Sequence, residues 1–239
     1  MRQRGEKQKA EISVESRLGY ARQAAEVVRK ALLEGRSRWS VILDRPPWAT
    51  PEMLDLGRFY TRPLGEPLVP GQPGTSFRGL ASGVQVLGGT GFDVRGIIHL
   101  KLTNSVTIPL GRVCRRLHFL QAASDAVWSR EIAATYHVTY AGGVTQSETL
   151  RNPEEVPPYT SDRFHEVWAP PQAKAQSGVQ SEPAWAGYAS GPAGQKEMLF
   201  LADSTWTLPE THRGEVVESI ELRAGSGQSA PLVFALTVE

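Results

Sequence analysis

Cysteine is almost missing from this chain: Cys114 is the only one in 239 residues. A single thiol excludes an intramolecular disulfide and any zinc site built from several cysteines, so packing alone must hold the core. An excess of one charge is missing too. Lysine and arginine number 26 against 25 acids, a net charge of +1, and that balance supplies no electrostatic footprint for nucleic acid. No run of about 18 apolar residues occurs, so no membrane span is expected. Met1 to Ala10 is basic and polar with no apolar segment behind it, unlike a secretory leader. Read as a chain that starts at Met1, it is expected to be cytoplasmic; the expectation does not extend to a fragment of a longer protein. Phosphate loops, G-x-S-x-G elbows, H-E-x-x-H helices and calcium loops are all lacking.

Enough apolar material remains for a core. Hydrophobic residues make up 40% and charged residues 21% of the chain, the profile of a globular protein. Three stretches differ in character. Residues 1–44 hold a charged segment and then an amphipathic helix, expected over 12–34. Val14, Leu18, Ala21, Ala25, Val28 and Leu32 recur in steps of four and three, with Ser13 as N-cap and Gly35 as stop. Its stripe must pack on its own domain, on a protein partner or on another copy of the chain. Residues 45–83 are rich in proline and glycine and read as a linker that becomes an ordered loop, with a first short strand near Leu54 to Tyr60.

From 84 to 239 the period becomes two. Phe92 to Leu102, Ile132 to Tyr140 and Leu232 to Val238 alternate apolar and polar residues, and further strand candidates cover Val113–Gln121, Val144–Leu150, Glu197–Trp206 and Val216–Leu222. Strict alternation suits strands with one face on a core and the other in water. No crossover helix is visible after Gly35, so a parallel sheet is not expected. The fold class is therefore mainly β: an antiparallel β-sandwich, or jelly roll, behind one N-terminal α-helix. Pro153 to Pro192 reads as a long irregular loop.

Several segments occur in a telling order: Gly91–Ile98, Arg116–Leu120, Tyr136–Gly143, Ala184–Gly187, Thr205–Pro209 and Pro231–Glu239. Together they resemble a family of β-sandwich domains from planctomycete- and verrucomicrobia-type bacteria, similar to galactose-binding-like jelly rolls and often found beside sensor, anti-sigma or kinase regions. The resemblance spans about Asp55 to Glu239. This chain has Leu208 where that family carries asparagine, and Gln121 and Ala122 where it carries a second histidine. The family has no established activity, so the resemblance implies the fold.

Aromatic side chains in connecting segments are the leading candidates for ligand contact. Trp128, Tyr159, Trp168 and Trp185, with Arg95 or His118 as polar partners, suit a carbohydrate, whose ring stacks on aromatics while its hydroxyls take hydrogen bonds. Trp168 and Trp185 capping the open ends of the sandwich is the competing reading. His99, His118 and His137 fall on successive strand candidates. Either neighbouring strands gather them as metal ligands or alternation between sheets separates them; the reading adopted assigns no metal and no cofactor. Gly88-Gly89-Thr90-Gly91 runs into a strand and reads as a tight turn. Cys114 sits beside Arg115 and Arg116, either as an activated thiol or as a half-buried strand residue. The expected function is a non-catalytic binding module for carbohydrate, accessory or sensory in character. Assembly through the N-terminal helix is the alternative. A glycan hydrolase is a third, with no carboxylate pair nominated for it.

Overall fold

The protein is an antiparallel β-sandwich behind an N-terminal helix, as a computed structural model that describes residues 14–70, 72–124, 131–160, 178–190 and 196–239 shows. One sheet has six strands in the order β1 (Arg62–Pro63), β4 (Gly96–His99), β12 (Ala230–Val238), β6 (Arg116–Ser124), β10 (Lys196–Thr207) and β9 (Val179–Ser190). The facing sheet has four, in the order β5 (Ser105–Val113), β11 (Val216–Ala224), β7 (Ile132–Tyr140) and β8 (Thr145–Arg151). A separate hairpin pairs β2 (Gly83–Leu87) with β3 (Thr90–Val94). Alternation on β7 sends Tyr136, Val138 and Tyr140 into the core between the sheets, where they meet Phe119, Trp206, Ile220 and Leu236. The Tyr136 hydroxyl donates to Gln121 Oε1 at 2.6 Å, which satisfies two buried polar groups at once.

A second core lies on the other face of the six-stranded sheet. Leu64, Leu68, Phe77 and Leu80 pack there with Phe92 and Val94 against Leu120, Leu201, Leu232 and Phe234. The stretch expected to pass from linker into ordered loop supplies a cover for the sheet. Its expected strand near Leu54 to Tyr60 is replaced by single contacts: Leu54 N–H donates to Leu236 O at 2.9 Å, and pairing begins at Arg62. Prolines break the strand pattern there, while the apolar residues between them still reach the sheet.

Besides β1 and β2, two long strands lie where none was expected. β9 falls inside the proposed loop 153–192, and β5 precedes the expected strand at 113–121. Both are edge strands, and both carry proline beside a register shift, Pro183 opposite Ala202 and Pro109 opposite Ser219. A missing N–H is tolerated at an edge or a bulge, so proline there does not exclude a strand.

The helix α1 (Val14–Leu33) ends as expected: Gly35 takes φ +71° and Arg36 N–H donates to Ala31 O at 2.8 Å. Its buried stripe is a different one, however. Tyr20, Ala24, Val27, Val28 and Ala31 turn inward, with the Tyr20 ring 4.9 Å from Trp48 and Gln23 Nε2 donating to Asp44 Oδ2 at 2.9 Å. Of the expected stripe, Val14, Leu18 and Leu32 are 72%, 51% and 55% exposed. Helical spacing admits both stripes; the aromatic and polar contacts to 44–48 select the one that docks.

The expected strand Phe92 to Leu102 is cut at Arg95 into β3 and β4, then closes with one helical turn, α2 (Leu100–Thr103). Arg95 is buried. Its Nε donates to Asp93 at 3.0 and 3.2 Å, its Nη1 donates to Leu43 O at 3.0 Å, and its Nη2 meets Asp55. Arg45 Nη1 lies 3.7 Å from Asp93 as well. Burial pushes the Asp93 carboxyl up, against the pull of Arg95 and then Arg45. The cluster fastens the 43–55 segment to the hairpin. Arg95→Met leaves Asp93 buried and short of its main partner, so urea denaturation is expected to show a loss of about 3–5 kcal/mol. A loss below about 0.5 kcal/mol, the size of a surface substitution, contradicts this account.

Candidate functional site

The polar candidate site occupies the part of the outer sheet face that the second core leaves uncovered. Cross-strand register assembles it. His118 on β6 pairs with Thr205 on β10 and with Thr237 on β12, Arg116 pairs with Thr207, and Asp203 and Thr205 pair with Glu182 and Gln180 on β9. Directly opposed residues share a face, so one period-two phase carries the whole group. The β2–β3 turn forms one wall. Gly88 and Gly89 have φ of +60° and +91°, the two positive angles of the tight hairpin turn that follows the twist of its strands. A side chain on Gly88 would touch Ala184 Cβ at 3.4 Å and Asp203 Cβ at 3.5 Å, so the turn rests directly on β9 and β10. This is the tight turn read from the glycines.

The resulting cleft has a volume of about 290 Å³ and no apolar side chain lines it. Thr90 Oγ1 donates to Asp203 Oδ2 at 2.6 Å. His118 Nδ1 lies 3.3 Å from both Asp203 oxygens and 3.1 Å from Thr205 Oγ1, and Nε2 lies 3.5 Å from Glu239 Oε2. Arg116 Nη1 reaches the same Glu239 oxygen at 3.0 Å. The hydrogen bond to Asp203 raises the His118 pKa above its ordinary value, with burial opposing and Glu239 adding to the rise. Arg116, and secondarily His118, hold the Glu239 carboxyl below its ordinary value. The cleft therefore presents imidazole, guanidinium, hydroxyl and amide groups beside the acceptors of Asp203 and Glu182.

A second depression of about 140 Å³ adjoins it, sharing Arg116 and Thr207 and adding Cys114, Arg115, Glu210 and Arg213. Cys114 is buried, and burial pushes its thiol up to about 11 despite Arg112. It is the inert, packed cysteine of the two readings, protonated near neutral pH.

Of the candidate ligand residues, His118 is in the cleft. Arg95 lies in the buried ion cluster described above. Trp185 and Tyr159 sit against the second core, with ring centroids 6.0 and 6.1 Å from Phe77; Trp185 is a residue of β9 and not of a loop. Trp128 and Trp168 lie outside the described residues. His118 and His137 fall in different sheets, and His99 pairs with Leu232 on β12, five positions from the partner of His118. Among the described residues no group of three or more histidines, cysteines or carboxylates is placed to hold a metal ion. Sequence reasoning missed Thr90, Gln180, Glu182, Asp203 and Thr205. The only available signal was their outward phase, and it needed a register between strands far apart in the chain.

No protein-family model matches the chain, and no curated protein matches it.

A proton-resonance titration of His118 is expected to give a midpoint above the ordinary 6.5. Because the folded pKa is the raised one, the stabilisation is complete below 6.5 and is lost as pH rises through the folded value. Asp203→Asn removes the main cause, so its midpoint should fall; a wild-type midpoint at or below 6.5 contradicts the His118–Asp203 contact.

Proposed function

We propose that this domain is a non-catalytic binding module that holds a polyhydroxylated ligand, a carbohydrate, in the cleft around His118 and Asp203. One observation carries the reading: a cleft lined without apolar side chains, in which donors and acceptors alternate across neighbouring strands. Sugar hydroxyls both donate and accept, and such a lining meets both needs. At about 290 Å³ the cleft is at the lower edge of the roughly 300–1,000 Å³ usual for small-ligand sites. Recognition here runs through hydrogen bonds, since Trp185 and Tyr159 pack elsewhere.

A printed glycan array probed with the whole chain tests this. Retention of at least one glycan class is expected, with affinity reduced about tenfold or more in His118→Ala and in Asp203→Asn, each of which removes a hydrogen bond to a charged group. Retention of no glycan, or retention indifferent to both variants, removes the proposal.

The second reading is self-association through α1, and the exposed stripe favours it. Its large residues sit at the ends and its alanines in the middle. Antiparallel pairing of two copies sets Val14 against Leu32, Leu18 against Val28 and Ala21 against Ala25, with Glu15 facing Arg29 of the second copy. The domain's own contacts use the neighbouring face, which shares with this stripe Val28, half-buried at the border between the two. Sedimentation is expected to show a dimer that dissociates on dilution and that Leu18→Glu with Leu32→Glu abolishes without lowering the melting temperature. A monomer at high micromolar concentration rules the pairing out.

A further inference from the structure

We infer that the ligand of this cleft is an acidic oligosaccharide, longer than one sugar ring, whose carboxylate or sulfate is received by Arg115. The inference rests on the binding reading above and extends it along the surface. The two depressions adjoin, with Arg116 and Thr207 lining both. They differ in charge. The first holds the carboxylates of Asp203 and Glu182 beside Arg116 and His118; the second holds Arg115, Arg116 and Arg213 beside Glu210 and Glu239.

Most of these charges are already balanced. Arg116 pairs with Glu239 at 3.0 Å, Arg213 with Glu210 at 3.0 Å, and Asp203 meets His118 at 3.3 Å. Arg115 is different: among the described residues its exposed guanidinium has no carboxylate partner. Only its backbone is engaged, its carbonyl accepting from Leu208 N–H at 2.9 Å and its N–H donating to Glu239 O. Held there by the chain on both sides, it sets an unspent positive charge at the rim of the second depression. Glu182 is the counterpart at the other end, exposed and without an ion pair among the described residues.

The spacing sets the size of the ligand. Glu182 is paired with Asp203, and Arg115 is bonded to Leu208, so the backbone positions that carry the two charges are separated by the rise from 203 to 208, roughly 16 Å for an extended chain. A single ring placed between His118 and Asp203 does not reach Arg115; a chain of rings does. An anionic oxygen pair fits a guanidinium fork, which a neutral hydroxymethyl group does not exploit. The carboxylates at the far end disfavour a second anion there, so the charge also fixes the direction in which the chain lies.

Matched sets of neutral, uronate-bearing and sulfated oligosaccharides on one array test this with the whole chain. The acidic members are expected to be retained about tenfold more strongly than their neutral counterparts, and the advantage should shrink as salt rises, as for any exposed charge contact. Arg115→Ala should remove the advantage, while Arg223→Ala, on the other sheet and paired with Glu221, should leave it intact. Uronate and sulfate members separate the two sources of the anion. If glycans are retained with no acidic advantage, or if the advantage survives Arg115→Ala, the inference fails and the cleft reading stands. If nothing is retained, both fail together.

Discussion

Strand β12 is buried at all nine of its positions, and this double burial organises the rest of the domain. A strand inside a two-layer sandwich normally turns one face to water. Here Val233, Leu236 and Val238 feed the core between the sheets, while Leu232, Phe234 and Ala235 feed a second core on the far side. The six-stranded sheet therefore needs a cover, and the proline-rich segment with the β2–β3 hairpin provides it. Fully burying a side chain such as Phe77 contributes about 1.5–3 kcal/mol, which is ample reason for a segment without regular structure to stay in place. The cover stops at the Gly88–Gly89 turn. Beyond that turn the same sheet face changes from leucine and alanine to His118, Arg116, Asp203 and the threonines, and the cleft is the uncovered remainder.

The cover is held by charge at its start. Arg95 lies where the outer hairpin passes into the central sheet, and it bonds Asp93 on β3, Asp55 in the cover and the carbonyl of Leu43. A buried guanidinium is tolerated because each of its three bonding directions finds an acceptor. The pair Asp93 and Arg95 is also why a strand that alternates cleanly in sequence is split in two. Arginine at a sequence position flanked by apolar strand residues reads as outward-facing, and only the arrival of a distant carboxylate and carbonyl turns it inward. The same interaction links α1 to the domain, since Leu43 precedes Asp44, which receives Tyr20 and Gln23 from the helix.

Polarity on the outer face and polarity in the cluster serve different ends. In the cluster, Arg95 and Asp93 neutralise each other away from water. In the cleft, Thr90, His118, Asp203 and Thr205 also contact one another, yet they border open space and keep donors and acceptors facing it. Arg116 is shared between the two depressions and anchored by Glu239, so it joins the polar cleft to the basic rim. That adjacency, more than any single residue, favours a ligand lying along the strands over one seated at a point.

The sequence by itself determined the antiparallel sandwich, the helix and its glycine stop, and the tight turn at Gly88–Gly89. These follow from periodicity and from local backbone chemistry, which neighbours in sequence decide. It left out β5 and β9, because proline forbids a central strand and an edge is known only after the sheet is assembled. It offered two equally regular stripes on α1, and only Trp48 and Asp44 select between them. Among the site residues it singled out His118, a titratable group at an outward position, but not Asp203, Glu182 or Thr90. Asp203 and Glu182 join His118 through cross-strand register, Asp203 over a separation of 85 residues, and Thr90 through the docking of the β2–β3 hairpin on the sheet. Periodicity states which way a side chain faces; which other side chains it meets is decided by strand order, and strand order exists only in the folded molecule.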